Sequence, residues 1–215
     1  MSINYSLSLV TAPASEPVTL AEAKTHMRID STDDDTYITE LITAARILAE
    51  NYTKRSFINT TWKMFMDRWP CSAGYGRYSE GYHEVPVTDS YQAKPVVLPK
   101  GQMQSVTHIK TYDDADTATT VDASNYYVGA YSSGDSGQIT LRNGGSISTP
   151  TRTSDGIEIQ FVAGYGSSAS AVPTPIKQAI KMIVSGLYEN RGDCSGGNLP
   201  TAATALLDQY RIWEL

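Results

Sequence analysis

Cysteine, phenylalanine and cationic side chains are scarce in this chain. Two cysteines in 215 residues, Cys71 and Cys194, are too few for a disulfide framework, and neither sits in a C-x-x-C pair or at zinc spacing from a histidine. A reducing compartment is the expectation. Lys and Arg total 17 against 23 Asp and Glu, a formal net charge of -6. Gripping a phosphate backbone takes clustered cations, so a duplex-gripping protein is disfavoured. The acid excess sits in the middle, with 6 basic and 10 acidic residues over 70–172 against 7 and 9 over 1–69 and 4 and 4 over 173–215. No run approaches the length of about 18 apolar residues that would span a bilayer. The opening Met-Ser-Ile-Asn-Tyr-Ser lacks the basic start and apolar stretch of a secretory signal. The expectation is a soluble protein, cytosolic or part of an assembly made there.

What the chain has in excess is tyrosine: 14, against 3 Trp and 3 Phe. A tyrosine combines an apolar body with a wet tip, which suits surfaces partly buried against partners, and equally suits half-buried strands. With 40% hydrophobic residues over 215 positions, the composition allows a modest core in one unit, or one unit with an insertion.

The local signals run helix, strand, helix. After an extended lead-in closed by Pro13 and Pro17, Thr19-Leu-Ala-Glu22 forms a capping box, so a helix is expected from Leu20, with Leu20, Ala23, Met27 and Ile29 on one side. A second helix over about 34–54 places Ile38, Leu41, Ile42, Ala45, Leu48, Ala49 and Tyr52 on one stripe. From Ile58 to Trp69 the period changes to two, and residues 70–95 have none, reading as a long loop or irregular hairpin. Short β-rich runs follow at 96–98, 106–112, 126–128, 138–141 and 157–162, separated by turn residues, as in a small antiparallel sheet or barrel. Helical period returns after Pro173 and Pro175 with Ile176, Ala179, Ile180, Ile183, Val184 and Leu187, and Gly192 is a plausible stop. A last helix after Pro200 would carry Ala203, Leu206, Leu207, Tyr210 and Trp213 on one side.

Neither helical end has enough apolar stripe for a core of its own. The expected fold is therefore α+β: a small helical bundle formed by the N- and C-terminal helices, with an inserted antiparallel β module. The expected divisions are 1–57, 58–163 and 164–215.

Chemical constellations are hard to find. Asp30, Asp33, Asp34 and Asp35 suggest calcium, but a loop starting at Asp30 has Asp35 where the turn glycine belongs and Leu41 where a bidentate Glu belongs. These aspartates read better as caps and dipole partners of a helix start. Gly74-Tyr-Gly76 and Gly164-Tyr-Gly166 lack the third glycine and the prompt helix of a nucleotide site. His26, His83 and His108 show no metal spacing and read as structural, and no G-x-S-x-G elbow is present. No catalytic, metal or cofactor-binding residue is assigned. One rival remains, a β-type carbohydrate-binding or hydrolytic protein in which Trp62 and Trp69 line a sugar groove near two of Glu80, Glu84 and Asp89. Another is an ordinary dimeric binding domain.

The ends of the chain carry a family pattern. Thr11-Ala-Pro13, then Glu16-Pro-Val-Thr-Leu-Ala-Glu-Ala-Lys24, Met27-Arg-Ile-Asp30 and Asp34-Asp35 leading into Ile38 to Tyr52, resemble the start of the tailed-bacteriophage head-tail connector (adaptor, or head-completion) family. Phe161-Val-Ala-Gly-Tyr-Gly166, Val172-Pro to Leu187-Tyr-Glu-Asn-Arg191 and Leu206-Leu-Asp-Gln-Tyr-Arg211 are similar to its third helix, the approach to it, and its closing helix. Val97-Leu-Pro99 with Ser105-Val106 looks like its β insertion, while 70–95 and 113–156 depart from it. The order and spacing of these short motifs, over about half the chain, make the match specific.

The resemblance implies a homo-oligomeric ring, usually of twelve copies, in the neck of a virion assembled in the host cytoplasm. It implies docking on the portal protein, stopper or tail-completion proteins attached below, DNA passing through the lumen, and neither catalysis nor cofactor nor membrane. An acidic balance suits that lumen, because cations would hold the phosphates. Two regions are candidate interfaces. Leu206, Leu207, Tyr210 and Trp213 follow a glycine joint and would dock on the portal, or pack in their own core. Tyr75, Tyr78 and Tyr82 would meet a neighbouring subunit or the tail, or stand on a solvated loop.

Overall fold

The capping box forms. Thr19 Oγ1 accepts from the Glu22 amide at 3.2 Å, and Glu22 Oε2 accepts from the Thr19 amide at 2.8 Å, which starts α1 (Leu20–Met27). Arg28, at φ 57, ends it. In a computed structural model of the chain, residues 5–70, 94–130, 136–142, 147–191 and 199–213 are described. The helix α2 (Asp35–Thr53) buries Ile38, Ile42, Ala45 and Ala49, close to the expected stripe. Leu48 is a correction: it is 42% exposed, and the stripe instead turns to bury Arg46, for which Glu16 and Glu50 supply partners.

Helix α3 (Thr174–Glu189) begins with Pro175 in its first turn and buries Ile176, Ala179, Ile180, Ile183 and Val184. Helix α4 (Thr201–Asp208) buries Ala203 and Leu207. These side chains join Val18, Ala23, Phe57, Ile58 and Val172 in one core, to which both ends of the chain contribute. Each fully buried Ile or Leu there stabilises by about 1.5–3 kcal/mol before entropy is counted. The last helix is shorter than its apolar period suggests. It stops at Asp208 because the Ile212 amide bonds the Thr53 carbonyl at 3.0 Å and Arg55 donates to the Tyr210 carbonyl, pulling the chain out of helical register.

The strands are β1 (Ser6–Thr11), β2 (Thr60–Met66), β3 (Val96–Val97), β4 (Met103–Tyr112), β5 (Ala118–Thr120), β6 (Tyr126–Ala130), β7 (Gly137–Leu141) and β8 (Ile157–Ala163). They form a five-stranded sheet in the order β1-β2-β8-β4-β5 and a three-stranded sheet in the order β3-β7-β6. The pairs β4 with β5, β3 with β7 and β6 with β7 are antiparallel, with Lys110 opposite Thr120 and Ile139 opposite both Val96 and Val128. The lead-in at 6–11 is thus a strand, and β5 was not legible: Ala-Thr-Thr has no apolar alternation and is set by pairing with β4. Leu98, expected in a strand, follows β3 instead.

By compactness the chain divides into one unit of residues 1–8, 63–98 and 106–160 and a second of 9–62, 99–105 and 161–215. Within the second, Gly164 ties three segments together. Its amide donates to the Gln102 carbonyl at 3.0 Å, its carbonyl accepts from Gln104 Nε2 at 2.7 Å, and the next amide, of Tyr165, donates to the Phe57 carbonyl at 3.1 Å. At φ +147 it has no room for a side chain, since a Cβ would lie 2.5 Å from the Asn59 nitrogen. Gly164 is thus required by the close approach of the 58–59 backbone.

Candidate interaction surfaces

The C-terminal segment divides the four residues assigned to it. Leu207 is fully buried in the core, Leu206 and Tyr210 are half-buried and packed against that core, and Trp213 is 66% exposed. Trp213 is nevertheless held: the Arg211 guanidinium lies 4.3 Å from its ring centroid and 5.0 Å from that of Tyr52. Tyr52 in turn donates to Asp208 Oδ1 at 2.5 Å, which raises the phenol's pKa above its ordinary value. A cation between two rings orders an exposed indole without burying it.

A second clasp joins the start of α2 to the end of α3. Asp34 Oδ2 accepts from Tyr188 OH at 2.6 Å and from Arg191 Nη2 at 2.8 Å, and the guanidinium lies 4.7 Å from the ring centroids of both Tyr37 and Tyr188. The Tyr188 hydrogen bond, then that of Arg191, holds the Asp34 carboxyl below its usual range. This corrects the capping expectation, because Asp34 occupies the N-cap position yet makes no side-chain cap bond there. Asp35 pairs with Lys24 at 2.6 Å and Asp33 accepts from Ser31 at 2.6 Å. Three of the four aspartates therefore face protein donors, and among the described residues no group of three His, Cys, Asp or Glu is placed to hold a metal ion.

Beneath the bundle surface, Arg46 binds Glu16 Oε2 at 2.7 Å and Glu50 Oε2 at 2.8 Å, while Glu50 Oε1 accepts the Phe57 amide at 2.8 Å. Burial pushes the Glu50 carboxyl up, and the Phe57 amide and Arg46 offset this only in part. Lys100 Nζ stands 4.7 Å from the Trp62 ring centroid, and burial lowers its pKa. The Trp62 indole donates to Ser56 Oγ at 3.1 Å, so this aromatic, assigned to a sugar groove by the rival reading, is engaged within the protein. Trp69 likewise donates to the Lys94 carbonyl, at 3.0 Å. Tyr75, Tyr78, Tyr82, Glu80, Glu84, Asp89, His83 and both cysteines lie outside the described residues.

Sequence reasoning missed the charged hub of the first unit. Glu158 is 2% exposed, on β8, and accepts from His108 Nε2 at 2.8 Å, Tyr112 OH at 2.9 Å and Lys63 Nζ at 3.1 Å. Burial pushes this carboxyl up, but the three donors outweigh it and the net shift is down. The strand order β2-β8-β4 explains the meeting, since Glu158 sits between the strand bearing Lys63 and the strand bearing His108 and Tyr112. The available signal was a lone acid alternating with Ile157, Ile159 and Phe161, and a His and Tyr four apart on one face of the neighbouring strand.

Two terminal helical segments closing one core, strands between them, and arginine–aromatic clasps as the conspicuous described surface features define an α+β protein organised around contacts. The family model for "Head completion protein" matches residues 16–212. The chain belongs to the head completion protein family.

Solved structures share its fold. One is a chain in the neck of an empty gene transfer agent particle computed with C6 symmetry, 23% identical, with a TM-score of 0.74 over 98% of this chain and 97% of that one. A chain of the virion of a native gene transfer agent particle is 21% identical, with a TM-score of 0.72 over 97% of this chain and 96% of that one. A chain in the neck of a native particle computed with C12 symmetry is 21% identical, with a TM-score of 0.63 over 98% and 97%. No curated protein matches the chain significantly.

Proposed function

We propose that the chain is a structural protein of the neck of a virion or virion-like particle. In this reading it forms a head-to-tail adaptor ring that docks on the portal and links it to stopper or tail proteins around the DNA channel. The observation that carries the reading is a fold shared over 98% of the chain with a neck protein, in a member of the head completion family. The C6 and C12 symmetries of the related necks support a homo-oligomeric ring, and the proposed twelve copies are compatible with both. A net charge of -6 suits a channel that surrounds DNA without holding it.

Of the portal-docking residues, Trp213 has the most surface to offer, because Leu207 is committed to the core. An ordered, exposed indole beside an arginine is the kind of anchor that concentrates binding energy at an interface. Leu206 and Tyr210 would extend that contact, and Tyr75, Tyr78 and Tyr82 are assigned to the neighbouring subunit or the tail.

Reconstruction of the assembled particle tests the proposal. The expected result is a ring of this chain between portal and tail, at the vertex where DNA leaves. Finding no copy in the neck, together with a purified chain that stays monomeric and ignores portal, would overturn it.

A further inference from the structure

The end of α2 and the segments packed on it gather cations, in a chain whose net charge is -6. Lys54, exposed, closes α2 in the left-handed conformation at φ 59. Lys100 comes from the 99–102 turn, where its carbonyl accepts from the Ser56 amide at 3.0 Å. Arg211 comes from the C-terminal segment, where the Ile212 amide donates to the Thr53 carbonyl at 3.0 Å. A side chain on Gly101 would stand 3.0 Å from Ile212 Cδ1, so the turn and the C-terminal segment lie side by side. All of these residues belong to the second compact unit.

Among the described residues none of these three cations forms an ion pair. The nearby acids are already engaged, Glu50 by Arg46 and the Phe57 amide, and Asp208 by the Tyr52 hydroxyl. The helix macrodipole favours a cation at a C-terminus, which accounts for Lys54 alone. Lys100 and Arg211 reach the same place from other segments, and like charges brought together cost free energy unless an opposite charge joins them. Burial lowers the Lys100 pKa; Glu50 opposes this, and the charge of Lys54 adds to it. Beside the cations stands the Trp213 indole, 66% exposed, with the Arg211 guanidinium 4.3 Å from its ring centroid.

We propose that this patch receives an acidic segment of the portal, with Trp213 as the apolar anchor and Lys54, Lys100 and Arg211 as the counter-charges. The inference rests on the portal-docking reading above and names the chemistry of the partner. A protein segment fits better than DNA, because three cations on an acidic chain are few for a phosphate backbone. An exposed indole ringed by cations is, by contrast, the composition of a protein-binding hot spot.

Lys54→Glu tests the patch, with Arg28→Glu as a control of equal charge change. Arg28 is also exposed, ends α1 in the same left-handed conformation at φ 57, and leads toward the opposite end of α2. The full chain is co-sedimented with portal at about 0.05 and about 0.5 M salt, where screening differs strongly. Circular dichroism melting of each variant controls for folding, and a DNA duplex of about 20 base pairs serves as a second probe. Portal binding by the unsubstituted chain is expected to weaken with salt. Lys54→Glu is expected to weaken it about tenfold at low salt and to flatten the salt dependence, with Arg28→Glu within about twofold of the unsubstituted chain. Where Lys54→Glu lowers the melting temperature, Lys54→Gln replaces it, with an expected loss of about threefold. Portal binding that Trp213→Ala weakens, but that salt and the Lys54 substitutions leave unchanged, overturns the acidic partner and leaves portal docking standing. An equal loss from Arg28→Glu, or a patch that holds the duplex while portal binding ignores Lys54, overturns it in the same way. A chain that binds no portal under any of these conditions overturns both.

Discussion

Replacing Glu158 with glutamine removes the charge that three donors share. The carboxylate accepts from His108 at 2.8 Å, Tyr112 at 2.9 Å and Lys63 at 3.1 Å while itself only 2% exposed. A hydrogen bond to a charged group contributes about 1.5–3 kcal/mol net, but the Lys63 and His108 side chains are 31% and 20% exposed and regain water when released. Glu158→Gln keeps the shape and one acceptor oxygen, which leaves a loss of about 2 kcal/mol. With a urea slope of about 2 kcal/mol per molar, the unfolding midpoint drops by about 1 M.

The pH dependence has a definite sign. The folded carboxyl lies below its usual range, so its contribution is present above the unfolded value of about 4.3 and is lost as pH falls through the lowered folded value. Urea unfolding followed by circular dichroism should therefore show a gap between the two proteins at neutral pH that closes as the pH falls below about 4.3. A gap below about 0.5 kcal/mol at neutral pH, or one that widens in acid, refutes the reasoning.

Gly164→Ala drives a Cβ to 2.5 Å from the Asn59 nitrogen and 2.6 Å from the Ile58 carbonyl carbon, at φ +147, and should cost about 3 kcal/mol or more in denaturant titration. Gly129→Ala, with open space around it, is the neutral control in the same titration. Arg46→Ala leaves the Glu50 carboxylate without its cation and should cost about 3 kcal/mol, most of it recovered when Glu50→Gln is added, as a double-mutant cycle would read. Asp34→Asn should lower the melting temperature in dilute buffer, with the difference shrinking in about 1 M salt because the clasp with Arg191 is open to solvent. Trp213→Ala should leave the melting temperature unchanged and weaken co-sedimentation with portal at least about tenfold; normal co-sedimentation would count against the C-terminal docking site.

The helical ends were legible because their signals are local. A threonine and a glutamate three apart start α1 through their own side chains, and the stripe at 38–49 follows from the helical period. The β insertion was legible as a series of runs but not as a topology, because β1 and β5 owe their strand state to neighbours distant in sequence or to a turn. The C-terminal segment was legible only in part: the apolar period that suggested a helix through Trp213 did not reveal that Thr53 and Arg55 capture the chain after Asp208.

What the sequence by itself determined is the class of fold, the two-ended helical core and the shortage of cations, since propensity, period and charge are properties of neighbouring residues and totals. Only the tertiary structure decided that Glu158 is held by three donors, that Asp34 serves α3 instead of capping α2, and that β8 lies between β2 and β4. Those outcomes depend on which strands and helices become neighbours, and a hydrogen bond spanning about 50 or 150 residues leaves no periodic trace in the chain.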